Sequence, residues 1–358
     1  MKKYLLVIVF ISGLVSLAVE FAASRLLGNY FGTSNLVWAS IVGLILIYLT
    51  LGYFIGGSWA DRSPKFETLF KILAWAALAV GLIPIAARPV LKIASRAFDD
   101  LALGALFGSF TVVMVLFIIP VTLLGTASPF AIRLSIEDAE KAGKISGRIY
   151  AISTLGSFIG TFLPVLVLVP TLGTYRTFLV LSTLLLIFTL VGMFLVGKLK
   201  LVMRYIWMLI VIIILFVIGV QGLDKNTEGL VYETESSYNY IQVLNQDGYY
   251  LLRLNEGQGV HSIYKAGQFN FNGPWEQVLS APFFNTAPVY PEEIQHIAII
   301  GLAAGTTARE ALEVFPNARI DGIEIDPKII MVGNQFFEME IARLNVIVVP
   351  RSEVLSTQ

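Results

Sequence analysis

The sequence predicts a helical membrane region of about seven spans, followed by a small β module and a partial α/β domain. Three observations support this order. Hydrophobic residues make up 56% of the 358 residues and charged residues only 14%, whereas soluble domains carry about 25% charged residues. Apolar runs of about 20 residues, the length that crosses a bilayer, recur throughout 1–222. The residues after this region have the composition and the short strand patterns of a soluble domain.

Seven apolar runs are long enough to span a membrane, and we expect the first to be a retained helix rather than a cleaved signal peptide. The runs lie at about 1–27, 36–59, 68–90, 101–126, 147–170, 174–197 and 203–221. In the first run we expect Arg25 to reach the interface and Glu20 to face a partner helix. Three runs carry a Gly-x-x-x-Gly spacing, which lets helix backbones approach closely: Gly52/Gly56, Gly104/Gly108 and Gly156/Gly160.

The Lys and Arg residues at the span ends predict a cytoplasmic N-terminus. Twelve of them fall on one set of ends and five on the other, and with seven spans the soluble region would then lie outside. The segment Gly57-Ser-Trp-Ala-Asp61-Arg62 resembles a short cytoplasmic loop of major facilitator transporters, which agrees with this orientation. The alternative is that Asp61 and Arg62 form a pair that anchors the helix ends.

The sequence of residues 229–290 is typical of a small β module. Asp247-Gly248 predicts a tight hairpin turn in this module, and Trp275–Ala281 is expected to begin a helix ahead of a proline-containing linker. Four short segments rich in Tyr, Val, Ile and Leu are typical of strands: Val231–Glu235, Tyr240–Leu244, Tyr249–Leu254 and Val260–Tyr264.

The sequence of residues 291–358 predicts a partial Rossmann-like unit of alternating strands and helices. Its turn, Gly301–Gly305, consists of small residues, and Thr306 and Thr307 are expected to cap the helix that follows. The predicted elements are a strand at Ile297–Ile300, a helix at Thr306–Val314, a strand at Ile320–Ile325, a helix from Pro327 to about Phe337, and a strand at Leu344–Val349.

The same unit predicts a nucleoside site. Glycine at Gly301 and Gly305 lets a ligand approach the backbone closely. Glu324 ends the second strand 19 residues after Gly305, and an acid at about this spacing accepts hydrogen bonds from ribose hydroxyls. The alternative is a βαβ turn with a purely structural role. The turn lacks the third glycine of a dinucleotide fingerprint and the lysine of a P-loop, which argues against dinucleotides and triphosphates.

Composition excludes several other classes of function. The chain contains no Cys and two His, which rules out disulfides and thiolate catalysis and argues against a metal site. Basic and acidic residues balance at 25 each, so the chain has no global attraction to nucleic acid. We therefore expect no nucleic-acid partner and no metal.

Three side chains of the β module are candidate contacts for substrate. Tyr238 lies beside the second predicted strand, where strand packing is the alternative role. His261 lies on the last predicted strand, where a hydrogen-bonded structural role is the alternative. Glu276 follows Trp275, and a carboxylate beside an aromatic ring suits an amine; the alternative is an exposed helix acid.

Four segments of the soluble region resemble spermidine synthases (polyamine aminopropyltransferases), and the whole chain resembles their membrane-fused branch. These segments are Glu235-Ser-Ser-Tyr238-Asn-Tyr-Ile241, Leu254-Asn-Glu-Gly-Gln258, Ile299-Ile-Gly-Leu-Ala-Ala-Gly-Thr-Thr-Ala-Arg309-Glu310 and Ile323-Glu-Ile-Asp-Pro327. The third and fourth form a motif shared with methyltransferases, so the resemblance implies a methyltransferase-type domain.

The resemblance implies transfer of an aminopropyl group from decarboxylated S-adenosylmethionine to a polyamine such as putrescine. The donor would be a co-substrate, and no tightly bound cofactor is expected. Gly301 and Gly305 would line the nucleoside, Glu324 would hold the ribose and Gln258 would reach the donor. The other expected partners are the lipid bilayer and, as an open expectation, a second copy in a homodimer.

The sequence also departs from the family. Ala304 stands where the family's turn carries an Asp that helps hold the donor's amine, and Asn239 stands where a Gln is common. Relative to the family we expect a C-terminal truncation, because the Asp that deprotonates the attacking amine would lie beyond Gln358. The catalytic residues are therefore unassigned, and the activity of this chain is open.

Two alternatives remain for the function, namely an S-adenosylmethionine-dependent methyltransferase, or a non-catalytic membrane transporter or sensor with a remnant nucleoside-binding domain. We expect a multi-pass protein of the cell membrane. The side on which the C-terminal domain lies is unresolved, because the family's donor is cytoplasmic whereas the charge count places the domain outside.

Overall fold

The computed structural model describes residues 1–98, 104–136, 139–219, 227–255, 257, 259–286 and 288–349. The chain divides into two compact units, Met1–Lys225 and Asn226–Gln358. The described part of the first unit is helical, and the second unit contains two β-sheets. The predicted division of the second unit near residue 290 stays a prediction.

The helices of the first unit are long and apolar. They are α1 (Lys2–Phe31), α2 (Asn35–Arg62), α3 (Phe66–Phe98), α4 (Gly104–Gly125), α5 (Ala127–Ser135), α6 (Ala142–Leu163), α7 (Val169–Leu172), α8 (Thr174–Leu195) and α9 (Leu199–Ile214). A π-helical turn at Pro164–Leu168 joins α6 to α7, and α5 continues α4 after a one-residue break. Within the described residues, seven stretches have the length and composition to cross a membrane. The predicted number of spans is confirmed on these two criteria.

Glycines set the closest helix contacts in this unit. A Cβ added to Gly156 of α6 would lie 2.1 Å from the carbonyl oxygen of Phe10 in α1, and one added to Gly160 would lie 2.1 Å from that of Leu14. Gly52 of α2 lies similarly close to the backbone of α4. These predicted Gly-x-x-x-Gly spacings are therefore sites of backbone contact. At Gly108 the neighbour is instead the ring of Phe31.

The end of α2 is anchored differently from the sequence prediction. A pair between Asp61 and its neighbour Arg62 was one of two alternatives for this segment, but the carboxylate of Asp61 instead accepts a hydrogen bond from Nε of Arg133 in α5, at 2.9 Å. Successive residues on a helix point in different directions, so the partner comes from another helix. Glu20 is buried within α1.

The first sheet of the second unit is antiparallel and contains β1 (Leu230–Glu235), β2 (Tyr240–Gln246), β3 (Tyr249–Leu254) and β4 (Val260–Tyr264) in that spatial order. The hairpin turn joining β2 to β3 has Asp247 at φ +53° and Gly248 at φ +82°. Positive φ at both central residues is the geometry that an Asp-Gly pair favours.

The second sheet is parallel, with order β5 (His296–Ile300), β6 (Arg319–Glu324) and β7 (Leu344–Val348). Helix α11 (Thr306–Val314) joins β5 to β6, and α12 (Pro327–Phe336) joins β6 to β7. The short helix α10 (Pro274–Gln277) precedes this sheet and continues as a 3₁₀-helix over Val278–Phe284. Buried residues of β2 and β3 pack against α12, while α11 packs on β6 through a separate cluster.

The capping prediction for α11 is wrong. The residue before the helix is Gly305, which makes no side-chain cap. The hydroxyl of Thr306 donates to the carbonyl oxygen of Ile263 in β4 and accepts from the N–H of the same residue, both at 2.9 Å. A tertiary contact therefore uses the side chain that was expected to cap the helix.

We expect Gly156→Ala to lower the stability of the helical unit by about 1–3 kcal/mol, because the added methyl group must push α1 away from α6. Gly147→Ala is the matched control, since a Cβ at Gly147 in the same helix meets nothing within 4 Å. Thermal unfolding of the purified protein in detergent measures the difference. Equal loss in both variants would contradict the close contact.

Candidate functional site

The glycine turn between β5 and α11 is held by its own backbone N–H groups. Gly301 and Leu302 both donate to the carbonyl oxygen of Ile323 in β6, at 2.9 and 3.0 Å. Gly301 and Gly305 each have φ +85°, and Ala303 between them has φ +51°. Three of five residues are thus in the left-handed region, where glycine is favoured and alanine is strained.

Glu324 lies against this turn. One carboxylate oxygen, Oε2, accepts the N–H of Ala303 at 2.9 Å. The other, Oε1, accepts the N–H groups of Ile325 and Asp326, at 2.9 and 3.1 Å. A carboxylate has about four acceptor positions, so among the described residues one position on Oε2 stays open after these three bonds. Glu324 is only 6% exposed and its carboxylate is held by three hydrogen bonds, so this acceptor position points in a fixed direction.

Asp326 is fully buried and joins the two sheets. Its Oδ2 accepts the hydroxyl of Ser236 at 2.6 Å and the side-chain amide of Asn239 at 3.1 Å, and its Oδ1 accepts the N–H of Lys328 at 3.0 Å. Ser236 and Asn239 belong to the loop between β1 and β2. The side chain of Asn239 also accepts the amide of Asn255 after β3. Asp326 thus fixes the loop of the first sheet at the end of β6.

Strand β4 holds the other side of the glycine turn. The hydroxyl of Ser262 accepts the N–H of Ala304 at 2.9 Å, and Thr306 is bonded to Ile263 as described above. Ser262, Thr306 and Ala304 are all buried. The backbone N–H groups of the turn are therefore all engaged by the protein. What the turn offers a ligand is surface next to Gly301, where a Cβ would meet nothing within 4 Å.

The candidate contacts for substrate lie in the β1–β2 loop, on β4 and in α10. The last two regions are adjacent, because the indole N–H of Trp275, the neighbour of Glu276, donates to the carbonyl oxygen of His261 at 3.3 Å. Tyr238 lies in the β1–β2 loop, where its N–H donates to the hydroxyl of Ser236 at 3.0 Å. Because that hydroxyl is bonded to Asp326, Asp326 also fixes the position of Tyr238. His261 is exposed and is the extra residue of a β-bulge, since Leu252 pairs with Ser262 while Arg253 pairs with Val260. Bulges re-aim side chains.

Gln258 lies outside the described residues. The binding roles predicted for Tyr238, His261, Glu276 and Gln258 all stay predictions, because nothing in the geometry tests them. The structure brings together Gly301, Gly305 and Glu324, with Tyr238 joined to them through Asp326.

The carboxylate of Glu276 is already occupied. It accepts the N–H of Gly273 at 2.8 Å and that of Phe271, both in its own turn. Burial opposes ionisation of Glu276, but the N–H donors prevail and lower its pKa. Beside it lies Glu310 of α11, whose pKa is raised to about 8 by burial and by the negative charge of Glu276. Neither carboxylate oxygen of Glu310 has a hydrogen-bond partner among the described residues.

Sequence reasoning missed the residues that build the site. Asp326, Ser236 and Ser262 carry the contacts between the strands. Asp326, the second of two acids at the end of β6, and Ser236 both lie in segments that carry the resemblance, but the resemblance assigns neither of them a role. Ser262 has no pattern in the sequence that distinguishes it from a surface serine. No group of three or more metal-ligating side chains occurs in the described part of the chain.

Comparisons with known proteins give one curated match. No family model matches the sequence. A protein of Bifidobacterium longum (strain NCC 2705) named "Probable polyamine aminopropyl transferase" is 31% identical over 112 residues, which make up 30% of this chain and 23% of that protein. The match thus spans less than a quarter of the relative's length. The predicted resemblance to the spermidine synthase family is confirmed over the matched stretch.

Among solved structures, the crystal structure of a probable spermidine synthase from Corynebacterium glutamicum ATCC 13032 is 18% identical, with a TM-score of 0.28. The alignment covers 37% of this chain and 48% of that chain.

Replacing Asp326 by Asn should loosen the loop between β1 and β2. The change removes the charge that receives the Ser236 hydroxyl and the Asn239 amide, and we expect local opening to become easier by about 2–3 kcal/mol. Hydrogen–deuterium exchange of the peptides that cover this loop and α12 measures the effect.

The control for that variant is Asp321→Asn. Asp321 is exposed on β6 and accepts one hydrogen bond, from the amide of Asn345 at 2.8 Å, so we expect a change within about 0.5 kcal/mol. Faster exchange in both variants, or in neither, would show that Asp326 does not clamp the loop.

Glu310→Gln should change the pH dependence of stability. A carboxyl whose pKa rises from 4.5 to about 8 on folding holds its proton in the native state, so wild-type stability falls between these two pH values. The Gln variant lacks this titration, and its unfolding temperature should fall less between pH 5 and pH 8. Glu313→Gln, at an exposed position of the same helix, should follow the wild type. Parallel curves for wild type and Glu310→Gln would refute this assignment.

Proposed function

We propose that the chain is a membrane-bound protein of the spermidine synthase type, whose glycine turn and Glu324 bind the nucleoside of decarboxylated S-adenosylmethionine. The observation that carries the proposal is the hydrogen bond from Ala303 to Glu324, which brings the turn and the acid together. The 31% identity to a probable polyamine aminopropyl transferase supports it over 112 residues.

We take the second sheet to be the nucleoside half of a Rossmann-like domain of the methyltransferase type. Three parallel strands in the order β5-β6-β7, joined by α11 and α12, are what such a half contains. In open α/β sheets, ligands bind beyond the carboxyl ends of the strands. Gly301 follows the end of β5 and Glu324 ends β6, so the proposed site is at this edge.

The ribose is assigned to the open acceptor position on Glu324. Ribose hydroxyls are donors, and a carboxylate with one free position on Oε2 accepts them through a charge-assisted hydrogen bond. The base or the sulfur side of the nucleoside then lies on the turn near Gly301. Because the turn and the carboxylate are already held by the protein, little ordering is needed when the nucleoside binds.

The proposed reaction is nucleophilic substitution. A primary amine of a polyamine attacks the aminopropyl carbon next to the sulfonium. The new N–C bond forms as the C–S bond breaks, and the electron pair of that bond stays on sulfur, so that methylthioadenosine leaves. The alkylated amine then releases one proton. We assign the polyamine side to Tyr238 and His261, with Glu276 as a further candidate, and we assign no general base.

A methyltransferase is the second candidate, because the residue that the resemblance expects to select the decarboxylated donor is not an Asp. Ala304, at the position where the resemblance implies an amine-holding Asp, is buried and its N–H donates to Ser262. The side chain at this position thus gives no preference for the decarboxylated donor. The seven apolar stretches support placement in a membrane under either candidate function.

Binding of methylthioadenosine to the purified chain in detergent tests the proposal. Isothermal titration should show one site, and Glu324→Gln should weaken binding about tenfold, because a charge-assisted hydrogen bond is replaced by a weaker neutral one. Glu313→Gln should leave binding unchanged, and circular dichroism should confirm that both variants are folded.

Absence of nucleoside binding, or equal affinity in Glu324→Gln and wild type, would refute the site. Turnover distinguishes the two reactions. Methylthioadenosine release from decarboxylated donor and putrescine supports aminopropyl transfer, whereas a methylated product from S-adenosylmethionine supports the methyltransferase.

A further inference from the structure

A groove of about 540 Å³ opens on the surface of the helical unit, between α2, α5 and α6. Most of its lining is apolar or aromatic. Phe54 is 75% exposed, Tyr150 55% and Tyr53 47%. Gly57 lies among them, and a Cβ added there would meet nothing within 4 Å. The groove is therefore open along its floor as well as at its mouth.

One end of the groove carries an ion pair. Asp61 and Arg133 line it, with Nε of Arg133 donating to Oδ1 of Asp61 at 2.9 Å. Their side chains are 73% and 48% exposed. A guanidinium has five N–H donors, and in the described part of the chain only Nε of Arg133 donates to another residue. Within the described residues, the other N–H groups of Arg133 and Oδ2 of Asp61 have no further partner, and they present opposite charges side by side.

The position of this pair matches the edge of a membrane. Asp61 is the penultimate residue of α2, and the span that contains Arg133 ends at Ser135. Along α2 the groove runs from Thr50 to Asp61, which is about 16 Å at 1.5 Å per residue. One leaflet of the hydrocarbon core is about 15 Å thick. The groove thus runs from the polar edge to near the middle of the bilayer.

From this geometry we infer that the groove binds one phospholipid with a zwitterionic ethanolamine headgroup. Its phosphate meets the free N–H groups of Arg133, its primary ammonium meets Asp61, and one acyl chain lies over Gly57 between Phe54 and Tyr150. Paired opposite charges complement a zwitterion better than a purely anionic head, and a primary ammonium supplies N–H donors that a choline head lacks. This inference is independent of the nucleoside site.

Native mass spectrometry of the full chain tests the inference. The protein is purified in detergent and supplied with equal amounts of palmitoyl-oleoyl phosphatidylethanolamine, phosphatidylcholine and phosphatidylglycerol. We expect one retained phosphatidylethanolamine in preference to the other two lipids. Gly57→Phe fills the floor of the groove and should lower its retention about tenfold, the loss expected when one well-placed contact is removed.

Gly43→Phe is the matched control, because Gly43 lies on the same helix, two heptads earlier, and a Cβ there also meets nothing within 4 Å. Its lipid retention should equal that of the wild type. If Gly57→Phe does not fold, Arg133→Gln and Asp61→Asn replace it. Arg133→Gln should weaken retention of all three lipids, because all three carry a phosphate. Asp61→Asn should abolish only the preference for phosphatidylethanolamine. Equal retention of the three lipids by the wild type, or equal loss in the Gly43 and Gly57 variants, would overturn the inference.

Discussion

Two buried carboxylates at the end of β6 join the sheets of the second unit. Burial of a charged group is costly unless hydrogen bonds replace those it made to water. Here each of the two carboxylates accepts three hydrogen bonds from the protein. Glu324 receives N–H groups from the glycine turn and from its own chain, and Asp326 receives the side chains of Ser236 and Asn239. The turn, β6 and the first sheet are thereby fixed to one another at one point.

This arrangement sets what the site can do. The backbone of Ala303 stays in the left-handed region because Glu324, Ser262 and Ile323 bond the turn from three sides, and such conformations persist where the surroundings impose them. The turn therefore offers a rigid surface and one open acceptor rather than a set of free donors. A nucleoside, whose ribose hydroxyls are donors, suits this better than a phosphate, which would need free N–H groups.

Local patterns predicted the elements well, and tertiary contacts explain what they missed. The four strands of the first sheet and the glycine turn between β5 and α11 followed from strand-favouring residues and glycine, because these signals act within a few residues or one βαβ unit. Thr306 and Asp61 found partners in β4 and α5, more than 40 residues away, so neighbours in the sequence gave the wrong expectation. The buried Glu310 beside Glu276 likewise depends on how α11 packs on α10.

The most direct measurement is a structure of the protein determined with methylthioadenosine bound. We expect the nucleoside at the carboxyl ends of β5 and β6, with a ribose hydroxyl within hydrogen-bond distance of Oε2 of Glu324 and the rest of the molecule against Gly301. A nucleoside bound elsewhere, or a site that stays empty at saturating concentration while the turn keeps its bond to Glu324, would contradict it.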